Sequence, residues 1–363
     1  MIQELMDPPE REVDLIRHVA ELLRNDLPAN WSAEVELEPS GNRSVDAILT
    51  ISAPNGPPVY LAIEAKRTLI SKDVRPVLDQ LRKSIEYSER LGAIPTVVAR
   101  YLSPTVRDRI GSMGGSYLDA TGNARIESKT SAMFVRLCGE DSDPWRGPGR
   151  PRGSLRGAPA ARVVRALIDY APPYSVPELV DRSGASTGAT YRVVKFLEEE
   201  DLLQRQQRGQ IERIAWPSIL QRWSKDYGFD RADVVESYLE PRSIKDTLGR
   251  LQRLDNDDYA ITGSFAAQLD APYAPPRLLS VYLRDPSVAT DVLELRRVSK
   301  GANVRIAANE DDFAFARTRQ VDGLCYAAVS QVAVDLMSGP GRSPSEAQEL
   351  ISWMQRNEDA WRG

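Results

Sequence analysis

Two short apolar runs near the start of the chain flank a turn rich in proline and glycine at residues 53–58. This arrangement predicts a β-hairpin, and a turn centred near Asn55 places Asp46 opposite Glu64. Because side chains two apart share a strand face, Glu64 and Lys66 are expected to point the same way. Two carboxylates and an ammonium group would then meet at one end of a sheet. The alternative is that these charged residues only end strands in solvent.

The segments around this hairpin have the periodicity of further helices and strands. Apolar residues at helical spacing predict helices from Pro8 to about Arg24 and from Ser71 to Leu91. A β-branched run predicts a strand from Ile94 to Ala99. The predicted order is helix, strand, strand, strand, helix, strand, within a first domain at residues 1–140.

This order and the D…ExK spacing resemble the PD-(D/E)XK superfamily, which has the restriction-endonuclease-like fold. The resemblance implies two carboxylates that bind Mg²⁺, a lysine that orients or activates the attacking water, and a helical glutamine that supports the site. In this chain the two carboxylates would be Asp46 and Glu64, the lysine Lys66 and the glutamine Gln80. An acid on the first helix, Glu12 or Glu21, would be a third candidate ligand. Carboxylate oxygens are the ligands that a hard divalent cation prefers.

Length, composition and the counts of cysteine and histidine restrict the classes of protein and of active site that this chain can form. The chain has 363 residues, 42% hydrophobic and 27% charged, which is typical of a globular protein with two or three domains. It has no run of about 18 apolar residues and no signal-sequence pattern, so we expect a cytoplasmic protein without a membrane span. Its two cysteines, Cys138 and Cys325, are far apart in apolar contexts, which predicts two buried thiols. The single histidine, His18, disfavours Ser-His-Asp catalysis and a histidine-rich zinc site.

Residues 115–126 and 132–137 predict two strands with a Thr-Gly-Asn turn. The stretch from Tyr117 to Asn123 resembles a YxDxxGN segment of AbiEi-family antitoxins of type IV toxin–antitoxin systems. The resemblance places Asp119 and Asn123 near a ligand or an active edge. The alternative is that both are turn residues that cap their own backbone.

Residues 141–160 predict a linker, because proline and glycine interrupt regular structure there. Its centre resembles the core of an AT-hook, which would insert Arg150 and Arg152 into a narrow A·T minor groove. The alternative is a solvated spacer. From Pro144 to Lys225 the chain carries fourteen Arg and Lys against eight Asp and Glu, although its net charge is −5. This local positive charge can neutralise phosphates.

Residues 161–217 predict three helices followed by a hairpin. The first helix begins at Ala161, the second follows an N-cap at Ser175, and the third spans about 187–200 after a Ser-Gly-Ala-Ser turn. A polar tip then separates two short apolar strands. This order resembles the winged helix-turn-helix module.

In such a module the third helix lies in the major groove, and its outward residues face base edges, while the wing contacts the backbone or the minor groove. The residues predicted to face DNA are Ser186, Thr187, Thr190, Tyr191, Arg192 and Lys195 on the helix, with Arg205 and Arg208 in the wing. The alternative is a winged helix that makes only protein contacts.

Residues 218–363 predict a mixed α/β domain. A strand near 259–262, a Gly-Ser turn, a helix and a strand near 278–283 resemble the opening of the nucleotidyltransferase fold. Active members carry two carboxylates on that second strand, whereas this chain has Ser280 and Tyr282. The resemblance therefore implies a degenerate domain without nucleotidyl transfer. The closing segment resembles the C-terminal domain of AbiEi-like proteins, which implies partner binding or dimerisation.

The sequence thus predicts an α/β multidomain protein. Its resemblance to AbiEi-type proteins implies a transcriptional regulator that binds duplex DNA through the winged helix, as a homodimer, with a toxin as a further partner. The D…ExK residues favour a different function, a Mg²⁺-dependent DNA endonuclease guided by the winged helix in defence or repair. A third alternative is an antitoxin that acts only by binding its toxin.

Overall fold

The computed structural model describes residues 9, 11–38, 45–86, 92–145, 154–206, 209–231, 234–308 and 312–363. The chain divides into two compact units. The front unit comprises Met1–Arg150 with Glu199–Asp201, and the second unit comprises Pro151–Glu198 with Leu202–Gly363. Within the described ranges, no helix has the length and apolar character needed to cross a bilayer.

The front unit is a mixed sheet with helices. Its elements are α1 Glu12–Asp26, β1 Ser32–Leu37, β2 Ala47–Ser52, β3 Val59–Lys66, α2 Ser71–Glu86, β4 Ile94–Ala99, α3 Pro104–Ser112, β5 Ser116–Asp119, β6 Ala124–Ser128 and β7 Met133–Leu137. The first six elements follow the predicted order. The described strands form one sheet in sequence order, and β3, β4 and β5 are parallel neighbours.

The two faces of this sheet are covered by different helices. Leu61, Ile63 and Ala65 of β3 pack in one apolar cluster with α1, whereas Ala62 packs in a second cluster with α2 and α3. Because strand side chains alternate, Glu64 and Lys66 share the α2 face with Ala62. The predicted hairpin is present, with Ala47 of β2 paired with Ile63 of β3.

The prediction of two buried thiols is confirmed for Cys325 and is wrong for Cys138, which is exposed.

The second unit begins with the predicted helices and hairpin. They are α4 Ala158–Asp169, α5 Val176–Ser183, α6 Thr187–Glu199, β8 Leu203–Arg205, β9 Ile211–Ile214 and α7 Trp216–Ser224. Ser175 caps α5 as predicted, since its hydroxyl accepts from the Glu178 backbone while the Glu178 carboxylate accepts from the Ser175 backbone. Gly184 ends that helix with φ of 62°, a left-handed conformation that glycine adopts without strain.

The rest of the second unit is a mixed sheet with helices. Its strands are β10 Val234–Leu239, β11 Tyr259–Thr262, β12 Leu279–Leu283, β13 Arg296–Arg297, β14 Val304–Ala308, β15 Arg319–Val321 and β16 Leu324–Tyr326. Its helices are α8 Ile244–Leu251, α9 Gly263–Ala267, α10 Val288–Asp291, α11 Val329–Met337, α12 Ser343–Arg356 and α13 Glu358–Trp361, with 3₁₀ turns at Phe229–Arg231 and Asp312–Ala314. The described strands are ordered β13-β10-β14-β12-β11-β16-β15.

The helical module and the C-terminal sheet share one apolar core, which extends from Leu155 to Met354. The boundary predicted at residues 217–218 falls inside α7, whose Trp216 and Trp223 are buried in that core. The two predicted domains at 161–217 and 218–363 therefore form one compact unit. The physical reason is that the apolar faces of the module are covered by the C-terminal segment, so neither part has a separate core.

Arg165 on α4 joins these two parts through polar contacts. It is 2% exposed and forms an ion pair with Asp169 on the same helix, at 2.9 Å. Its guanidinium also donates to the carbonyl oxygens of Phe313 and Ala316 and to Gln331 Oε1, at 2.8–2.9 Å. A buried arginine with all these acceptors fixes α4 against the C-terminal segment.

Candidate nucleic-acid interface and acidic site

Helix α6 has one buried face and one exposed face. Ala189, Val193, Val194 and Leu197 are buried, and the last three pack in the core of the second unit. The exposed residues of the helix start and its outer face are Ser186, Thr187, Tyr191, Arg192 and Lys195. Thr187, Tyr191 and Lys195 are spaced by four residues and so lie in one row along the helix. This face combines hydroxyl, aromatic and cationic groups, which suit base edges and phosphates.

One residue predicted for this face lies elsewhere. Thr190 is fully buried, and its hydroxyl donates to the Ser186 carbonyl oxygen at 3.1 Å. The prediction that Thr190 faces DNA is therefore wrong, because the helix turns this position toward the core. Ser186 remains exposed, and its hydroxyl accepts from the Ala189 backbone at 3.4 Å, as at a helix start.

Of the two wing cations predicted to contact DNA, Arg205 and Arg208, only Arg205 lies within the described residues. Arg205 on β8 forms two hydrogen bonds to Glu198 on α6, at 2.5 and 3.2 Å. The hydrogen bonds to Glu198 raise the pKa of Arg205, although partial burial opposes this shift. Arg205 is thus held by a carboxylate and would have to exchange this partner to contact a phosphate. The predicted residues Arg150, Arg152 and Arg208 lie outside the described residues.

The hairpin of the front unit brings the predicted acidic residues together. Asp46 precedes β2, and its backbone donates to the Ile63 carbonyl oxygen at 2.9 Å, so the strand register places it level with Glu64. Asp46 Oδ2 accepts from the Ala65 backbone at 2.7 Å. Glu64 is buried, and its Oε1 accepts from Lys66 Nζ at 2.5 Å. Two carboxylates and one ammonium therefore lie at the same end of the sheet.

Electrostatic coupling joins these side chains. Partial burial lowers the pKa of Lys66, but the hydrogen bond and charge of Glu64, together with the charges of Asp46 and Glu12, raise it overall. Lys66 is therefore a stably protonated cation beside two carboxylates. Of the two acids of α1 named as candidates, Glu12 is the one whose charge contributes to this shift.

The predicted supporting glutamine is not among the contacts of this cluster. Gln80 lies on the exposed side of α2, and its described hydrogen bond is that of its backbone carbonyl, which accepts from Ser84. The buried face of α2 is formed by Val74, Leu78 and Leu81 instead. The role of Gln80 thus stays a prediction that the described contacts do not support.

The carboxylate oxygens of Asp46 and Glu64 are of the chemical type that binds a magnesium ion. Asp46 Oδ1 and Glu64 Oε2 have no hydrogen-bond partner among the described residues, and Mg²⁺ commonly takes one or two carboxylates and keeps several waters. Over the same residues, no group of three or more His, Cys, Asp or Glu side chains has the geometry of a metal site. The donor set therefore fits two direct ligands and not a closed cage.

The Asp119 and Asn123 side chains serve the turn between β5 and β6. Both are 1% exposed. The Asp119 carboxylate accepts from the backbone N–H groups of Leu102, Thr121 and Asn123. It also accepts from the Thr121 hydroxyl and the Asn123 side-chain amide. Asn123 further binds the Gly139 backbone and the Glu140 carbonyl oxygen. Five donors on one buried carboxylate support the alternative in which these residues cap the backbone.

The second unit contains a buried acid that sequence reasoning missed. Ser280 and Tyr282 lie on β12, and Tyr282 donates to Asp335 of α11 at 2.8 Å. Thr262 donates to the same carboxylate at 2.6 Å, and Gln331 at 2.9 Å. Burial raises the pKa of Asp335 to about 7, although these donors oppose the shift. Asp335 follows Gln331 by one helical turn inside an apolar segment, and this i, i+4 polar pair was the signal in the sequence.

Comparison with known protein families and with functionally characterised proteins returns no match. The inferences about function therefore depend on the residues and on the sequence resemblances described above.

Proposed function

We propose that this protein binds duplex DNA through α6 and acts as a transcriptional regulator of the AbiEi type. The observation that carries the proposal is the exposed face of α6. Tyr191, Arg192 and Lys195 lie on this face, and the opposite face of the helix is buried. The helix follows a capped second helix and precedes a two-stranded hairpin, the arrangement that places a recognition helix in a major groove.

The charge of the central segment supports the same function. Cations exceed acids in residues 144–225, although the whole chain is acidic. A local basic surface on an otherwise acidic protein favours phosphate contacts at one place and limits non-specific adhesion elsewhere. A homodimer and a toxin partner remain parts of the proposal that rest on the resemblance alone.

Replacing Arg192 and Lys195 together by alanine is expected to weaken binding to duplex DNA by about 10- to 100-fold. The slope of log affinity against log salt should flatten by about 1 to 2, because fewer counterions are released. Both quantities can be measured by fluorescence anisotropy with duplexes from the genomic region around the gene.

The matched control removes two exposed cations elsewhere in the same unit, with Lys245→Ala and Arg253→Ala. This variant should keep the wild-type affinity and slope. An equal loss in both variants would show that only overall charge matters, and would contradict recognition by α6.

The front unit supports a second candidate, a Mg²⁺-dependent DNA endonuclease. The specific observation is the meeting of Asp46, Glu64 and Lys66 at one end of the sheet. Asp46 and Glu64 would hold the ion, which supplies charge neutralisation at a phosphate oxygen. Lys66, which stays protonated beside two carboxylates, would orient a water or the phosphate through its Nζ donors. Binding and cleavage are compatible in one chain, since both need the duplex.

A further inference from the structure

A cavity of about 230 Å³ lies in the second unit, next to the turn between α5 and α6. Three arginines, two acids and several apolar groups line it. The arginines are Arg162 on α4, Arg182 on α5 and Arg317 in the segment before β15. The lining also includes Asp169, Asp312, Tyr170 and Phe313.

The two acids that line this cavity form ion pairs with arginines that do not line it. Asp169 forms its ion pair with Arg165 and also accepts from the Ser330 hydroxyl. Asp312 forms an ion pair with Arg284 at 2.6 Å, which is the main reason that its pKa is lowered, and the charge of Arg162 lowers it further. The lining of the cavity therefore has an excess of positive charge.

Two of the three lining arginines lie beside one aromatic ring. The guanidinium carbons of Arg182 and Arg317 are each 4.7 Å from the ring centroid of Tyr170. Arg317 also donates to the Asp169 carbonyl oxygen. For Arg182, the contacts found in the described part of the chain are with the rings of Tyr170 and Tyr174, without an acceptor oxygen. Two cations beside one ring repel each other, and an anion between them would remove that repulsion.

We propose that this cavity binds a small anion, with a carboxylate or phosphate group on the guanidinium groups and an apolar part against Tyr170 and Phe313. The bound anion would join α5, through Arg182, to the segment that carries Arg317. Because α5 leads directly into α6, the ligand would act as an effector of DNA binding. This regulatory part rests on the DNA-binding function proposed above, whereas the binding of the anion does not.

Isothermal titration calorimetry of the full chain tests the binding itself, with benzoate and inorganic phosphate as separate probes. We expect at least one probe to bind, and the Arg182→Gln, Arg317→Gln double variant to bind it at least about 10-fold more weakly. Binding of benzoate alone identifies a carboxylate with an apolar body, and binding of phosphate alone identifies a phosphate. Thermal unfolding shows whether the double variant is folded, and the single variant Arg182→Gln, at an exposed position, repeats the test if it is not.

The matched control is Arg253→Gln with Arg277→Gln, because both arginines are exposed cations of the same unit that do not line this cavity. This control should keep the wild-type affinity for the probe. Absence of binding by both probes at millimolar concentration would overturn the proposal, as would an equal loss in the control.

The effect on DNA is measured by repeating the anisotropy titrations at a saturating concentration of the probe that binds. We expect the affinity of the wild type for DNA to change by at least about threefold, and that of Arg182→Gln to remain unchanged at the same ionic strength. A protein that binds the probe and no DNA would refute the proposed function but not the anion site. A protein that binds both without coupling would refute only the effector role.

Discussion

Replacing Arg165 by methionine is expected to lower the free energy of unfolding by about 3 to 5 kcal/mol. Methionine keeps much of the apolar stem but removes every donor. The change leaves Asp169 as a buried carboxylate without its cation, and it leaves Phe313 and Ala316 with unpaired carbonyl oxygens. Removing one partner of a buried ion pair costs more than the pair itself contributes, because the other charge stays in a medium of low polarity.

Urea unfolding followed by tryptophan fluorescence and circular dichroism measures this loss. The matched control is Arg356→Met on α12, since Arg356 is exposed and its contact with Glu349 is long, at 3.9 Å. The control should change the free energy of unfolding by less than about 0.5 kcal/mol. A loss below about 1 kcal/mol for Arg165→Met would contradict the role given to this arginine in joining the helical module to the C-terminal sheet.

The second large effect concerns the acidic site. If the front unit is a nuclease, Asp46→Asn should reduce Mg²⁺-dependent or Mn²⁺-dependent nicking of supercoiled plasmid by at least about 100-fold, because several kcal/mol of charge stabilisation at the phosphate are lost. Lys66→Met should cause a loss of similar size, since no other described cation contacts Glu64. Gel electrophoresis of plasmid over time measures both rates.

Asp79→Asn is the matched control, because Asp79 is an exposed acid of the same unit that pairs with Arg82. It should keep the wild-type rate, and chelation of the metal should stop cleavage. Absence of nicking by the wild type with either metal would refute the nuclease candidate and leave DNA binding as the proposed function. Equal rates for wild type and Asp46→Asn would point to a contaminating nuclease.

Local patterns carried most of the correct predictions. The hairpin around residues 53–58, the N-cap at Ser175 and the strand Ile94–Ala99 depend on neighbours in sequence, and all three are present. The hairpin register followed from the turn, so the level placement of Asp46 and Glu64 could also be predicted. Such features need only side-chain alternation, capping and turn chemistry.

Features that depend on distant parts of the chain could not be predicted in this way. Thr190 occupies a position whose exposure depends on the angle at which α6 packs, and it is buried. The pairing of Arg205 with Glu198 depends on where the wing folds back against the helix. Arg165 donates to the carbonyl oxygen of a residue about 150 positions away in the sequence. Asp335 accepts from Thr262 and Tyr282, which are about 50 to 70 positions away. No periodicity encodes those contacts.

The acidic cluster of Asp46, Glu64 and Lys66 includes features that local sequence predicts and features that depend on distant contacts. Strand alternation placed Glu64 and Lys66 on one face, whereas the charge of Glu12 acts on Lys66 from α1, which packs on the opposite face of the sheet. Gln80 was assigned from a resemblance, and the packing of α2 exposes it. An assignment that depends on helix rotation therefore needs the structure, whereas one that depends on strand alternation does not.

Site-specific photocrosslinking tests most directly whether α6 contacts DNA. A photoreactive phenylalanine derivative is placed at Tyr191, which is 46% exposed on α6, or at Tyr273, which is 53% exposed elsewhere in the same unit. Irradiation of the protein–duplex complex should yield a crosslink from position 191 and not from position 273. Crosslinking from position 273 alone, or in equal yield from both positions, would contradict recognition of the duplex by this helix.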